Sequence, residues 1–390
     1  MSDKNTNKDN KKSDGTKSKK KMSLLAKILF GLAGAIVLLV IVVVCYVLHL
    51  LSLPEIVPDD GTNVPKITTT VPTTDSSIIS TGDVTEPTTP QETETTEDLS
   101  GLEEITVPST AEGETTVRET AAFRTEEKVY NIILLGIDPT DGLSDSMIVV
   151  TINQNDNTIK LTSFMRDMFI EHIPGLKPNR LNTIYNNGGM KLLKQIFKEY
   201  FGIELHGFVS VDYDVLVKVV DALGGIELYV SEAEANFLNT SNYIKDEASL
   251  TLIPGATQQM NGYQVAGFCR LRYVSHKGET DDFARTRRQR EVLIAMYNKF
   301  RSSDITTLIG LLEKVLPLVK TDLDKGEMIS MATKALSGVK NEIEQLRIPV
   351  KGGYSDLKYR SPDGNIYMRV VGWDMEKNVK AIHEFMYGAE

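Results

Sequence analysis

Three short runs settle the architecture: Tyr130-Asn-Ile-Ile-Leu-Leu-Gly136, Met147-Ile-Val-Val-Thr-Ile-Asn153 and Ile159-Lys-Leu-Thr-Ser-Phe164. The first reads as a buried strand running into a loop. The other two follow as strands joined by the turn Gln154-Asn-Asp-Asn157. Beyond them the apolar period changes. Leu192, Leu193, Ile196, Phe197 and Tyr200 recur at helical spacing and predict a helix over 190–201. A second helix is predicted over 213–222, stopped by Gly224-Gly225, and a strand over 226–230. A long helix is predicted over 284–300, with Leu293, Met296 and Phe300 on one face. Later helices are predicted over 306–318, 325–336 and 375–385, and late strands over 346–350 and 367–371. Strands and helices mixed in one long unit imply a single α/β sandwich domain.

Working outward, the 390-residue chain falls into zones of different charge, with a formal net charge of -10. Residues 1–21 carry eight lysines and three aspartates, and residues 52–127 carry seventeen acids against three basic residues. Between them, Ile28 to Val47 is uncharged for twenty residues. A helix of that length rises about 30 Å, enough to cross a hydrocarbon core. With Lys19, Lys20, Lys21 and Lys27 before it and acids after it, the positive-inside rule puts the tail, 1–27, in the cytoplasm. The membrane helix is then 28–51 and the rest is extracellular, as in a Gram-positive-type envelope. A cleaved signal peptide is the competing reading, but the apolar run is long for one and no A-x-A-like cleavage site follows.

Residues 52–127 are rich in Thr, Pro, Glu and Ser and lack a sustained apolar period, so they read as a disordered extracellular linker. A flexible chain of this length spans roughly 50 Å. Of the two cysteines, Cys45 lies in the membrane run, which leaves Cys269 alone in the exported part and excludes an intramolecular disulfide there. The folded domain, 128–390, must stand on an ordinary hydrophobic core.

The chemistry-bearing segments are three. The loop Gly136-Ile-Asp-Pro-Thr-Asp-Gly-Leu-Ser-Asp-Ser146 groups Asp138, Asp141 and Asp145 between two strands. Such acids either hold Mg²⁺, which takes oxygen ligands and bridges to phosphates, or serve a polar turn as caps. Arg166 and Asp167 follow a strand immediately, and can lean over the same end of the sheet or pair on the surface. The stretch from Arg270 to Arg290 holds seven basic residues against three acids in an acidic protein. On a helix Arg285 shares a face with Arg288 and Gln289. Asp282 stands where an N-cap is expected, and a helix N-terminus favours anions. Arg270 and Arg272 share a face only in extended chain or at a helix end. Arginine forks bind phosphate oxygens in pairs. A solvated basic helix face is the bland reading; nucleic acid is disfavoured by the predicted extracellular position. There is no G-x-x-x-x-G-K-[ST], H-E-x-x-H or G-x-S-x-G, and with four histidines after residue 128 a histidine zinc site is not expected.

In order, NIILLGID…SDSMIVVTIN, SFMRD, IPG…NRLNTIYNNGG, VDALGGIEL, GFCRLR and DFARTRRQREVL resemble the LytR-CpsA-Psr family of cell-wall enzymes. The resemblance runs over about 128–300. It implies an α/β/α sandwich with a central mixed sheet and a hydrophobic tunnel for a lipid chain. It also implies a membrane-anchored phosphotransferase that moves a glycopolymer (teichoic-type, capsular or another wall polysaccharide) from undecaprenyl pyrophosphate to peptidoglycan. By position, Asp138 and Asp145 match the family's Mg²⁺ acids, Arg166 its arginine after the strand pair, Arg270 and Arg272 its R-x-R, and Asp282, Arg285 and Gln289 its D-x-x-R-x-x-x-Q. The resemblance therefore assigns Asp282, Arg285 and Arg166 to catalysis, and Arg166, Arg270, Arg272, Arg285 and Gln289 to the pyrophosphate. The general base is Asp282 or Asp138. Leu192, Leu193, Ile196, Val215, Leu216 and Val219 are candidates for the tunnel lining, with ordinary core as the alternative for each.

The chain departs from the family at Leu143, where an arginine usually precedes S-D-[ST], and at Ala284, usually glycine. The loop Tyr273–Asp281 between the two arginine motifs is a further departure. Arg287 and Arg290 fall off the matching positions and are expected on the solvated surface. Three other functions stay open: a lipid-linked pyrophosphatase with water as acceptor, a membrane-anchored transcriptional attenuator, and a stalked adhesin. A short lysine-rich tail without a helix-turn-helix argues against the second, and the acid and arginine clusters against the third.

Overall fold

The computed structural model describes residues 99–107, 120–302, 316–324, 326–327, 342–364 and 366–389, and a short strand at Glu55–Ile56. The expected tail, the membrane helix, most of the linker and most of the helices expected at 306–318 and 325–336 lie outside these residues. Among the described residues no helix is long and apolar enough to cross a membrane.

The three diagnostic runs form adjacent strands. β3 (Val129–Ile137), β4 (Ser144–Asn153) and β5 (Thr158–Phe164) pair antiparallel in sequence order. β8 (Gly207–Val211) adds parallel to β3, and β12 (Glu344–Ile348) adds parallel to β5. β11 (Lys320–Thr321) and β1 (Glu55–Ile56) complete a seven-stranded mixed sheet beyond β8. Alternation along β3 sends Ile133 and Leu135 to one face and Leu134 and Gly136 to the other. Both faces are covered, which is why the run is continuously apolar instead of alternating.

One face carries α1 (Ile184–Phe201) and α6 (Met375–Tyr387). Phe164 of β5 meets Phe197 and Phe201 of α1 with ring centroids 4.8 and 4.7 Å apart. Leu193, Ile196, Ile382 and Met386 fill the same core. Each fully buried aliphatic side chain here contributes about 2–3 kcal/mol. α1 begins six residues before the predicted start at 190. The break in the helical period is Gly189, whose φ of 61° interrupts the helix.

The other face carries α2 (Tyr213–Ala222), α4 (Gly262–Arg270) and α5 (Asp281–Ser302), around a second core that includes Val220, Val265, Phe268 and Val292. A hairpin of β9 (Ile226–Val230) and β10 (Ala256–Met260) packs there, with α3 (Glu232–Thr240) in its connection. α3, α4 and β10 are short, at nine, nine and five residues, and were not expected from the sequence. β13 (Tyr354–Arg360) and β14 (Tyr367–Trp373) form a small separate sheet with β2 (Glu103–Ile105).

β2 corrects the linker boundary. Glu103–Ile105 pairs parallel with β13, Arg124 Nη1 donates to Gly388 O at 2.9 Å, and Ala121 N donates to Glu199 O at 2.8 Å. The folded chain therefore reaches well before Lys128. Composition reports too few apolar residues to form a core, but backbone pairing to an existing sheet edge needs none.

Candidate active site

The acid loop leaves the end of β3 at a bulge between Gly136 and Ile137. Asp138 Oδ1 accepts from Thr140 N at 2.8 Å and from the Thr140 hydroxyl, and Asp141 Oδ1 accepts from Leu143 N at 2.9 Å. The turn-forming role is thus real for these two acids. Asp145, one residue into β4, is placed differently. Arg166 Nη1 donates to its Oδ1 at 2.6 Å, Arg285 Nη1 lies 3.9 Å from its Oδ2, and Arg285 Nη2 donates to its main-chain oxygen at 3.2 Å. Burial pushes the Asp145 carboxyl up, but Arg285 and Arg166 outweigh it and hold the group below its ordinary range.

α5 delivers the helical arginine motif to the same place. Asp282 lies within the first turn, not at an N-cap, because the helix starts at Asp281 in a left-handed conformation (φ 50°). Its carboxylate pairs with Arg285 Nη2 at 2.6 Å and approaches Arg166 Nε at 3.7 Å and Arg272 Nε at 3.9 Å. Asp167 lies 3.6 Å from both Arg166 Nε and Arg180 Nε, and burial with Asp282 nearby pushes its carboxyl up. Burial, and then Arg285 and Arg166, pull the Arg272 guanidinium down from its ordinary value. α4 ends at Arg270, and the chain is extended at Leu271, so the R-x-R pair occupies a helix end, one of the two geometries that let both point one way.

Asp138, Asp145, Arg270, Arg272 and Arg285 line one small polar pocket with Tyr213, Tyr243 and Tyr273. Arg270 stacks over the rings of Tyr213 and Tyr243, at 5.2 and 5.8 Å from their centroids. Burial pushes the Tyr213 phenol up to about 12, so it stays a hydrogen-bond donor. Sequence reading missed the three tyrosines: a tyrosine carries no spacing signal, and these come from α2, the segment after α3 and the segment after α4. Arg166 and Asp282 are not in the pocket wall; they stand behind it and brace Asp145 and Arg285. Arg180 is engaged with Asp167 and with the main-chain oxygen of Arg369 at 2.8 Å.

An apolar cavity of about 240 Å³ adjoins the pocket, between the sheet and α2 and α5. Leu134, Ile148, Val209, Val292, Leu293 and Met296 line it, and Asp145 and Tyr213 belong to both walls. Gln289 faces this cavity and not the polar pocket. Of the six residues expected along a lipid tunnel, Leu216 and Val219 line the cavity. Val215 is buried beside it without lining it, and Leu192, Leu193 and Ile196 belong to the core on the opposite face of the sheet. Helical period identifies an apolar face but not the layer it joins.

The expectation for Arg287 and Arg290 also needs correction. Arg287 Nε pairs with Glu279 at 2.8 Å at the rim, while Arg290 is 4 % exposed and donates from Nε to Gln345 Oε1 at 3.1 Å. Burial pulls the Arg290 guanidinium down to about 10. α5 packs against the sheet, α4 and β9, and its buried positions cluster between Ala284 and Val292, which include Arg290.

Among the described residues no group of three or more His, Cys, Asp or Glu side chains is arranged to hold a metal. Two carboxylates, Asp138 and Asp145, do face one pocket. The Asp141 carboxyl is pushed up by burial and, against its bond from Leu143, by the charges of Asp138 and Asp145. Mg²⁺ commonly takes one or two carboxylates and completes its shell with water and phosphate oxygens, so this donor set suits it.

The LytR_cpsA_psr family model matches residues 97–383. The chain belongs to the LytR_cpsA_psr family. The match begins just before β2 and so includes the strand that the composition hid. Among curated relatives, the polyisoprenyl-teichoic acid–peptidoglycan teichoic acid transferase TagU of Oceanobacillus iheyensis is 31% identical over 237 residues, covering 58% of this chain and 69% of that one. The TagU of Bacillus mycoides is 28% identical over 273 residues, covering 69% of this chain and 82% of that one. The solved structure of TagT bound to LI-WTA superposes with a TM-score of 0.52 at 20% identity, over 69% of this chain and 95% of that chain. At that identity the likeness concerns the fold, a mixed α/β domain with a central mixed sheet.

Proposed function

We propose that this LytR_cpsA_psr protein is a Mg²⁺-dependent phosphotransferase anchored in the cell membrane by residues 28–51. Its donor is an anionic glycopolymer on undecaprenyl pyrophosphate, and its acceptor is a peptidoglycan hydroxyl outside the cell. One observation carries the reading: a pocket with Arg270, Arg272, Arg285 and two carboxylates adjoins an apolar cavity through the shared residues Asp145 and Tyr213. A prenyl chain, a pyrophosphate and a sugar follow one another in that chemical order. The curated relatives' names support the reaction class.

In the transfer, the acceptor hydroxyl oxygen bonds to the sugar-side phosphorus while the bridging P–O bond breaks and polyprenyl monophosphate leaves. Catalysis of this kind rests mainly on positioning and on charge stabilisation. Arg270, Arg272 and Arg285 neutralise phosphate oxygens. Asp282 and Arg166 act as positioning residues, one bracing Arg285 and the other Asp145. The hydroxyl proton passes to a carboxylate of the site, Asp282 or Asp138. Asp138 and Asp145 would hold Mg²⁺, which when bound would offset charge on the phosphates.

The test is coupling of a lipid-pyrophosphate-linked oligosaccharide to peptidoglycan fragments by the full chain in detergent, with and without Mg²⁺. Arg285→Ala is expected to lower coupling by about 10²–10³-fold. Sugar phosphate released to water with no coupled product would identify a hydrolase instead, and unchanged coupling in Arg285→Ala would overturn the site.

A further inference from the structure

The arginines of the pocket recognise phosphate, which every donor of this class shares, so they do not select the sugar. The aromatic side chains of the same pocket have the chemistry to do so. Tyr273 is 73 % exposed and, of the exposed large apolar side chains among the described residues, it alone lines the pocket. Its ring is backed by Phe237 at 6.3 Å, and Phe237 meets Tyr243 edge-on at 5.4 Å. Tyr243 in turn lies under Arg270. The result is an aromatic wall that starts at the arginines and runs outward.

This wall is held in place. Tyr273 precedes a tight hairpin in which His276 and Glu279 exchange main-chain hydrogen bonds of 2.8 and 2.9 Å. The two turn residues, Lys277 and Gly278, both have positive φ (47° and 81°), as a two-residue hairpin turn of this hand requires. The hairpin is pinned by His276, buried between Glu234 at 2.7 Å and Glu291 at 3.0 Å. The exposed ring of Tyr273 thus stands three residues from an anchored support.

We propose that Tyr273, backed by Phe237 and adjoining Tyr243, seats the first sugar ring of the donor, the one bonded to the pyrophosphate. The inference rests on the phosphotransferase reading above. A pyranose presents one face of C–H bonds, and the negative face of an aromatic ring attracts such polarised hydrogens. The order of surfaces supports the donor sugar. Asp145 and Tyr213 adjoin the apolar cavity, whereas Tyr243 and Tyr273 line the polar pocket with the arginines and do not line that cavity.

The test uses the full chain in detergent and two probes, geranyl pyrophosphate and geranyl-pyrophosphoryl N-acetylglucosamine. Tyr273→Ala, an exposed change with little folding cost, is expected to weaken the sugar-bearing probe by about fivefold to tenfold while geranyl pyrophosphate binds as before. Tyr273→Trp is expected to retain binding of both. Equal loss for the two probes, or no loss for either, would overturn the assignment. So would a raised KM for the peptidoglycan fragment with donor binding unchanged, which would make Tyr273 part of the acceptor wall. If Arg285→Ala leaves geranyl pyrophosphate binding intact, the phosphotransferase site itself is misplaced, a failure separable from that of the sugar seat.

Discussion

Arg285 and Arg288 stand one turn apart on α5, and both are almost fully buried. Arg288 has every nitrogen engaged: Nε donates to Glu234 Oε1 at 2.8 Å, Nη1 to Leu271 O at 2.7 Å and Nη2 to Val274 O at 2.6 Å. Arg285 pairs with Asp282 and Asp145, yet its Nε has no hydrogen-bond partner among the described residues and its guanidinium faces a pocket. A buried charge that is fully satisfied organises the fold. A buried charge with donor capacity left over at a pocket is available to a ligand. The comparison separates structure from function between residues of one type on one helix.

The largest expected effect breaks the structural side. Arg288→Ala leaves Glu234 charged and two carbonyls bare, and should cost about 3–5 kcal/mol in denaturant unfolding. Arg285→Ala, against the same measurement, should cost much less while coupling is lost; similar destabilisation by the two would dissolve the distinction.

His276 supplies the next effect. It shares Glu234 with Arg288, contacts Glu291 on its other nitrogen, and packs against Phe268; Lys277 pairs with Glu291 at 2.7 Å. Burial pulls its imidazole pKa down, but Glu234 and Glu291 outweigh this and raise it above the ordinary value of 6.5. The group therefore binds its proton more tightly when folded. Its stabilisation is full below the unfolded pKa and is lost as pH rises through the folded one. Between the two, stability should fall with pH by at most about 1.4 kcal/mol per unit. Urea unfolding across that window checks it: His276→Gln should remove the slope, and a slope that persists would assign it elsewhere.

The smallest effect belongs to the rim. Arg287 with Glu279 is partly exposed, and Arg287→Ala should shift stability by no more than about 0.5 kcal/mol, read from the denaturant midpoint.

Much of the fold was legible because its strands are strongly patterned. β3, β4 and β5 are apolar runs bounded by turn residues, and α2 and β9 fall where their residues predict them. β2 was not legible, since a three-residue strand is too short to show a period, and its apolar contact comes only from Ile105 and the adjacent Val107. Within the site, the acid loop and both arginine motifs carry charge at fixed spacing, and Asp138, Asp145, Arg270, Arg272 and Arg285 do converge. Tyr213, Tyr243 and Tyr273 were invisible because each stands alone in its own segment, too far from the next for any helical or strand period to link them. Leu192, Leu193 and Ile196 show the converse: their helical period was correct, but it could not say that their helix covers the face opposite the cavity.

The sequence by itself determined which segments are strands and helices and which charged residues form motifs, because both follow from local period and residue type. Motif position pointed to Arg285, but only the tertiary structure showed that Arg288, one turn on, is fully engaged in the core. Arg285 meets Asp145 across 140 residues, and Arg288 meets Glu234 across 54. Whether a buried guanidinium is satisfied depends on such distant partners, and local spacing carries no information about them.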